Sequence, residues 1–169
     1  FRNKDYAMGI PLMRKAADQG NAGALCKMAH AYSDGTGVAK DRREAVRWFQ
    51  KSADVGCKGC QRNLGSAFRD GDGVTRNYAQ AHRWLHAAAN QGDKKALTQI
   101  GQLYGTGKGV EQSDVEAARW YRLALAQNEP TAASNLAQMS FYGTGMKKDE
   151  AEGERLALIA AKGGQGRAA

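Results

Sequence analysis

The chain has 169 residues, of which 42% are hydrophobic and 25% are charged, and this is the composition of a folded globular protein. No stretch approaches the ~18 consecutive apolar residues of a membrane-spanning helix, so we expect no membrane insertion. The net charge is +8, but Lys and Arg form no dense run and do not alternate with aromatic residues, which argues against a nucleic-acid-binding protein.

A repeat of 36 residues organises the whole chain, and long-period repeats of this kind indicate a solenoid. Glycines and tryptophans keep this spacing without a slip. The spaced residues are Gly35, Gly71, Gly107 and Gly143; Gly20, Gly56, Gly92 and Gly164, with Asn128 in the one missing slot; and Trp48, Trp84 and Trp120, with Leu12 and Leu156 in the flanking slots.

Each repeat is predicted to hold two helices, which we call first-type and second-type. Apolar residues at helical spacing give each helix one buried face, and a Gly-rich turn ends the first-type helix. In chain order, the predicted helices alternate from the second type to the first and lie near residues 5–19, 21–34, 41–55, 58–70, 77–91, 94–106, 113–127, 130–142 and 149–163.

The second-type helices carry the sequence of a capping box at their N-termini. In this arrangement the cap side chain and a Glu or Gln three residues later satisfy two backbone N–H groups. The pairs are Asp41 and Glu44, Asn77 and Gln80, Ser113 and Glu116, and Asp149 and Glu152.

One pair of helices cannot bury its apolar face alone, so the pairs are predicted to stack into an all-α solenoid of helix-turn-helix repeats. We expect a single repeat domain over residues 1–169 with four to five repeats. Because the chain starts on a second-type helix and lacks polar capping repeats, we also expect it to be a fragment of a longer array.

These motifs resemble the Sel-one-like repeat (SLR), a relative of the tetratricopeptide repeat. The resemblance is carried by segments 63–68 (Asn-Leu-Gly-Ser-Ala-Phe), 71–74 (Gly-Asp-Gly-Val) and 81–84 (Ala-His-Arg-Trp), and it covers almost the whole chain. It implies a right-handed α/α superhelix that serves as a scaffold for protein assembly, often in bacterial envelope, secretion, motility or host-interaction systems. It therefore favours a periplasmic or secreted location over the cytoplasm.

In solenoids of this kind the first-type helices line the concave face, and the resemblance implies that a partner binds there. An amide row at 36-residue spacing can hydrogen-bond an extended peptide, and nearby basic residues can pair with carboxylates, so the partner is predicted to be a protein or peptide segment, possibly acidic. The predicted partner-binding residues are Arg62, Asn63, Ser66, Arg69, Lys95, Gln99, Gln102, Asn135, Gln138 and Phe141.

Two cysteines and two histidines resemble the ligand set of a zinc site. Cys57 and Cys60 are followed by His82 and His86, but the gap between the pairs is longer than the usual finger spacing. Cys60 also stands where other repeats have Ala, and this explains it as a small core residue. We therefore predict no metal ion and no cofactor. The third cysteine, Cys26, makes the count odd, which argues against a complete disulfide framework.

We predict a non-enzymatic scaffold, because no serine is followed by lysine at the third position, as penicillin-type acyl transfer requires, and no histidine has an evident nucleophile beside it. Two alternatives stay open. One is a cell-wall or β-lactam-related hydrolase or binding protein, and the other is a module that assembles with itself.

Overall fold

The computed structural model describes the backbone of residues 2–165 and the side chains of residues 9–163. Within this range all regular secondary structure is α-helical. The helices are α1 Arg2–Asp18, α2 Ala22–Asp34, α3 Arg42–Asp54, α4 Lys58–Asp70, α5 Tyr78–Asn90, α6 Lys94–Thr106, α7 Asp114–Ala126, α8 Pro130–Tyr142 and α9 Glu150–Gln165. They confirm the all-α fold class and the predicted alternation, with α2, α4, α6 and α8 as the first-type helices. Gly164 of the glycine series lies outside the described side chains.

The chain divides into two compact units, unit 1 ending at Gln91 and unit 2 beginning at Gly92. In unit 1, α2 pairs with α3 and α4 with α5, and α1 and α3 pack on the next first-type helix. In unit 2, α6 pairs with α7 and α8 with α9, and α7 packs on α8. No described helix is long and apolar enough to cross a membrane.

The cap side chains of the second-type helices accept hydrogen bonds as predicted. Asp41 accepts from the backbone N–H groups of Arg43 and Glu44 at 2.9 and 3.0 Å, and Asn77, Ser113 and Asp149 each accept from the third residue of their helix. The second predicted bond of the capping box, from the backbone N–H of the cap residue to the Glu or Gln side chain, was wrong. The N–H of Asp41 donates to the Tyr32 carbonyl at 2.9 Å, and the other three caps repeat this bond to the preceding helix. A carbonyl of the preceding helix therefore binds the backbone N–H that the Glu or Gln side chain was expected to bind.

Small residues on the first-type helices allow the paired second-type helix to approach closely. A Cβ atom added to Gly65 would lie 2.8 Å from Leu85, and one added to Gly101 would lie 2.6 Å from Tyr121. The tryptophan slot is buried at Trp48 and Trp84, and its equivalent Leu156 is 2% exposed. Leu12, in contrast, is 73% exposed, so the first slot of this series is not part of the core.

Candidate functional site: two equivalent clefts and a thiol cluster

All ten predicted partner-binding residues lie on first-type helices. In unit 1, α4 carries four of them, and in unit 2 the remaining six are divided between α6 and α8. A cleft in each unit lies between two first-type helices and the second-type helix that connects them, and half of the predicted residues line one or the other of these two clefts.

The unit 1 cleft has a volume of about 310 Å³ and the unit 2 cleft a volume of about 380 Å³. The two are structurally equivalent, because nearly all of their lining residues correspond at a spacing of 72 residues, or two repeats. The unit 1 cleft is lined by His30, Ser33, Arg42, Ala45, Val46, Phe49, Asn63, Ser66, Ala67, Asp70 and Asp72. The unit 2 cleft is lined by Gln102, Gly105, Thr106, Asp114, Ala117, Tyr121, Asn135, Gln138, Met139, Tyr142 and Thr144.

The polar groups of the unit 1 cleft largely bind one another. The Arg42 guanidinium lies 3.2 Å from the Asp72 carboxylate and donates to the Ser33 hydroxyl at 2.9 Å. The Asn63 amide nitrogen lies 3.3 Å from Nε2 of His30. These side chains therefore already have the partners that a bound peptide would otherwise supply.

In the unit 2 cleft, Gln102, Tyr142 and Thr144 take the places of His30, Asp70 and Asp72, and Asp114 takes the place of Arg42. At its floor, Nδ2 of Asn135 is buried and has no hydrogen-bond partner among the described residues. At its rim, Tyr142 is 80% exposed, although aromatic residues of this size usually pack against the protein. Tyr121 forms the wall, and burial together with the Asp114 charge raises its pKa to about 12, so its hydroxyl remains neutral.

Sequence reasoning identified the amides of this cleft but missed Tyr142, Met139 and Thr144. A signal for Tyr142 was present in the repeat alignment. The equivalent slots hold Asp34, Asp70 and Thr106, so an aromatic residue at this position departs from the other repeats.

The predicted basic residues lie outside the cleft linings. Nε and Nη2 of Arg69 donate to the two carboxylate oxygens of Asp70 at 2.8 Å, and this pair raises the pKa of Arg69. Arg62 donates to the Asn63 side-chain oxygen at 3.2 Å. A carboxylate of a partner would have to compete with these intramolecular bonds.

The remaining predicted residues, Lys95, Gln99 and Phe141, also lie outside the cleft linings. Phe141 is half-buried, and its ring fills the space that a Cβ atom at Gly153 would need, with a separation of 2.8 Å. The Phe141 ring therefore packs between α8 and α9, and its predicted contact with a partner stays a prediction.

A second constellation lies in unit 1, where three thiols converge. The sulfur atoms of Cys26, Cys57 and Cys60 lie within 4.8 Å of one another, and all three cysteines are free. The Cys60 thiol donates to the Cys26 sulfur at 2.8 Å, and Nδ1 of His30 lies 3.6 Å from the same sulfur. The sequence paired Cys57 and Cys60 with His82 and His86, but the structure brings them to Cys26 instead.

These contacts lower the pKa of one thiol of the cluster and raise the pKa of another. The hydrogen bond from Cys60, assisted by His30, lowers the pKa of Cys26 to about 4. The same bond and burial raise the pKa of Cys60. The Cys26 sulfur raises the pKa of His30 to about 9, against the effect of burial.

His82 and His86 form a separate contact on α5, with their Nε2 atoms 3.0 Å apart. Burial lowers the pKa of both rings, and the mutual repulsion of the two charges lowers that of His86 further. Neither ring belongs to the thiol cluster found among the described residues.

Comparison with known proteins agrees with the helix-turn-helix geometry. Five successive segments match the Sel1 repeat: residues 2–21, 22–57, 59–93, 94–129 and 130–165. A comparison with proteins of curated function gives no match.

Two solved structures are similar in both sequence and fold. The first is c5321, a protective antigen present in uropathogenic Escherichia coli strains that displays an SLR fold, with 34% identity and a TM-score of 0.87 over 93% of this chain and 34% of that one. The second is a Sel1 repeat protein from Oxalobacter formigenes, with 29% identity and a TM-score of 0.89 over 93% of this chain and 65% of that one. The chain thus spans less than two thirds of the length of either relative.

A third structure, cysteine rich protein B of Helicobacter pylori, shares the fold at 17% identity, with a TM-score of 0.60 over 78% of this chain and 95% of that one. Sel1 repeat proteins generally mediate protein–protein interaction, and solenoids of this kind are typically non-enzymatic scaffolds. Because the repeat matches extend over residues 2–165, the chain belongs to the Sel1 repeat family.

Proposed function

We propose that the chain is a non-enzymatic scaffold that binds an extended segment of a partner protein on the face formed by its first-type helices, with the unit 2 cleft as the principal contact. The observation that carries the proposal is the buried, unpaired Nδ2 of Asn135 beside the 80% exposed ring of Tyr142. A buried donor without a partner costs about 1–3 kcal/mol, and a ligand that pairs it recovers this energy.

An extended peptide matches the chemistry of this cleft. A backbone carbonyl of the peptide accepts a hydrogen bond from Asn135, and the amides of Gln102 and Gln138 offer both donors and acceptors to neighbouring peptide groups. The rings of Tyr121 and Tyr142 cover an apolar side chain between them. The volume of about 380 Å³ lies in the range of ordinary ligand pockets.

The unit 2 cleft gives no support to an acidic partner. Among the described residues that line it, only Asp114 is charged, and its carboxylate repels acidic groups. The proposal therefore specifies an extended segment without a charge preference. Contacts of the partner with Arg62, Ser66 or Lys95 stay a prediction.

The test is a selection of peptides from a random phage-displayed library on the purified chain. Selected peptides are then synthesised with a fluorophore, and their affinities for variants are measured by anisotropy. Tyr142→Ala removes the exposed ring and is expected to weaken binding about tenfold, or roughly 1.4 kcal/mol. Asn135→Leu removes the donor and is expected to weaken binding by a similar factor.

Two features make the result interpretable. Asn135→Leu is expected to leave the thermal stability of the free chain unchanged or higher, because its buried nitrogen has no partner to lose. Leu158→Ala on α9 truncates another exposed side chain, 62% accessible, in the same unit and serves as the matched control. A library that returns no binder, or peptides that bind all variants equally, would show that the cleft is not a peptide site.

A further inference from the structure

The thiol cluster unites residues from two helices and from three different slots of the repeat. Cys26 lies in the second turn of α2, Cys57 is the N-cap of α4, and Cys60 lies in its first turn. A separation of three residues places Cys57 and Cys60 on one side of α4. All three sulfurs are therefore directed to one point between α2 and α4.

The N-cap slot of α4 indicates that the cluster is more than core packing. In the equivalent slots, Asn21 and Asp93 cap their helices by accepting backbone N–H bonds, whereas Cys57 and Glu129 make no side-chain cap bond. Loss of a cap costs about 1 kcal/mol. Cys60 replaces a small core alanine and is explained by packing. Cys57 forgoes a side-chain cap bond, and its sulfur instead lies within 4.8 Å of the other two.

The cluster is accessible from solvent. Cys26 and Cys57 line a cavity of about 850 Å³ in unit 1, together with His30, while Cys60 lies fully buried behind them. An ion entering the cavity therefore meets two thiols at the wall and the third at the back.

We propose that Cys26, Cys57 and Cys60 form a three-sulfur site for one thiophilic d¹⁰ metal ion, Zn²⁺ or Cu⁺, with the fourth coordination position facing the cavity. Soft sulfur ligands select these ions. With metal–sulfur bonds of about 2.3 Å in tetrahedral geometry, the sulfurs lie about 3.8 Å apart. The three sulfurs already lie within 4.8 Å, and binding requires only that the 2.8 Å Cys26–Cys60 separation widen by about 1 Å.

His30 is a positioning residue in this site. Its Nδ1 lies 2.8 Å from the Cys26 carbonyl oxygen, which can only accept, so this nitrogen carries a proton and is not free to bind a metal. The same N–H lies 3.6 Å from the Cys26 sulfur. Such outer contacts orient a ligand and stabilise its charged form.

The experiment uses the full 169-residue chain, reduced and freed of metal with a chelator. Co²⁺ is the spectroscopic probe, because sulfur ligation gives a thiolate-to-metal charge-transfer band and tetrahedral geometry gives strong visible d–d bands. Zn²⁺ is then titrated against a chromophoric chelator, and Cu⁺ against a Cu⁺-specific one. We expect one ion per chain, with the Co²⁺ bands displaced by Zn²⁺.

The repeat itself supplies variants that are expected to fold. Cys26→Ser, Cys57→Asn and Cys60→Ala each install the residue of an equivalent slot, at Ser134, Asn21 and Ala24. Each is expected to lower the affinity for the bound ion by at least about 100-fold, since even outer-contact losses cost 10–100-fold. Cys57→Asn is also expected to stabilise the metal-free chain, because it restores the cap.

His82→Gln is the matched control, since it removes a ligand of the pair suggested by the sequence, and it is expected to leave binding unchanged. Preference for one of the two ions identifies which of them the site takes. The proposal is overturned if neither Zn²⁺ nor Cu⁺ binds the wild-type chain more tightly than the triple cysteine variant. It is equally overturned if Cys57→Asn retains full affinity.

Discussion

The second glycine of each Gly-x-Gly turn is predicted to control the stacking of neighbouring repeats. Gly73 has a φ of +74°, and a Cβ atom there would collide with the backbone carbonyl of Arg42, at the start of α3 in the preceding repeat. A non-glycine residue in the left-handed region costs roughly 1–2 kcal/mol. A collision with backbone adds roughly 1–3 kcal/mol, because backbone cannot move aside as a flexible side chain can. Gly73→Ala is therefore expected to destabilise unit 1 by about 2–5 kcal/mol.

Gly56→Ala is the matched comparison within the same unit. Gly56 has a φ of +89°, but a Cβ atom there meets nothing within 4 Å, so only the conformational cost of about 1–2 kcal/mol applies. The difference between the two variants isolates the collision.

The assay is amide hydrogen exchange, because repeat arrays unfold locally and a single global transition does not report on one interface. Protection of the α3 and α4 amides is expected to fall further in Gly73→Ala than in Gly56→Ala. Equal losses in the two variants would refute the claim that close backbone approach, and not φ alone, requires glycine at position 73.

Three further predictions concern individual side chains. The pKa of Cys26 is lowered to about 4, so in the metal-free chain its reaction rate with iodoacetamide is expected to stay nearly constant from about pH 6 to 8. His30→Ala is expected to slow this reaction at pH 6. A rate that rises tenfold per pH unit would contradict the prediction. Because the pKa values of His82 and His86 are lowered in the folded chain, the unfolded chain takes up protons at a higher pH than the folded one. The free energy of unfolding is therefore expected to fall as the pH is lowered below 6.5. Chemical denaturation of a variant with Gln at both positions should show a weaker pH dependence of this free energy. Asp93→Ala removes a cap that accepts two backbone N–H bonds at 3.1 Å and is expected to cost unit 2 about 1–2 kcal/mol in denaturant titrations, whereas a cost near zero would show that the cap contributes nothing.

The clefts and the thiol cluster differ in how far the sequence could predict them. The amides Asn135 and Gln138 were predicted as partner-binding residues because they lie on a first-type helix, where an amide row recurs at 36-residue spacing. The alignment did not indicate that Asn63 is paired with His30 while Asn135 is unpaired. That difference depends on neighbours from another helix, which the spacing along one helix does not contain.

The thiol cluster shows the same limit. Cys57 and Cys60 were visible as a pair because they are one helical turn apart. Cys26 is 34 residues from Cys60 and lies on another helix. From the sequence alone, His82 and His86 were the residues considered as partners of the cysteine pair. Only the packing of α2 against its neighbours decides which thiols meet.

The sequence by itself determined the helices of this protein and their order. Caps such as Asp41, left-handed stops such as Gly71 and apolar faces at helical spacing are local signals, and each acts within a few residues of the element it bounds. The tertiary structure decided which groups satisfy one another across helices: the Tyr32 carbonyl takes the Asp41 N–H in place of the predicted glutamate, and the Phe141 ring fills the space at Gly153. These outcomes depend on close packing between segments nine or more residues apart, and in close-packed interiors a single atom decides which contact forms.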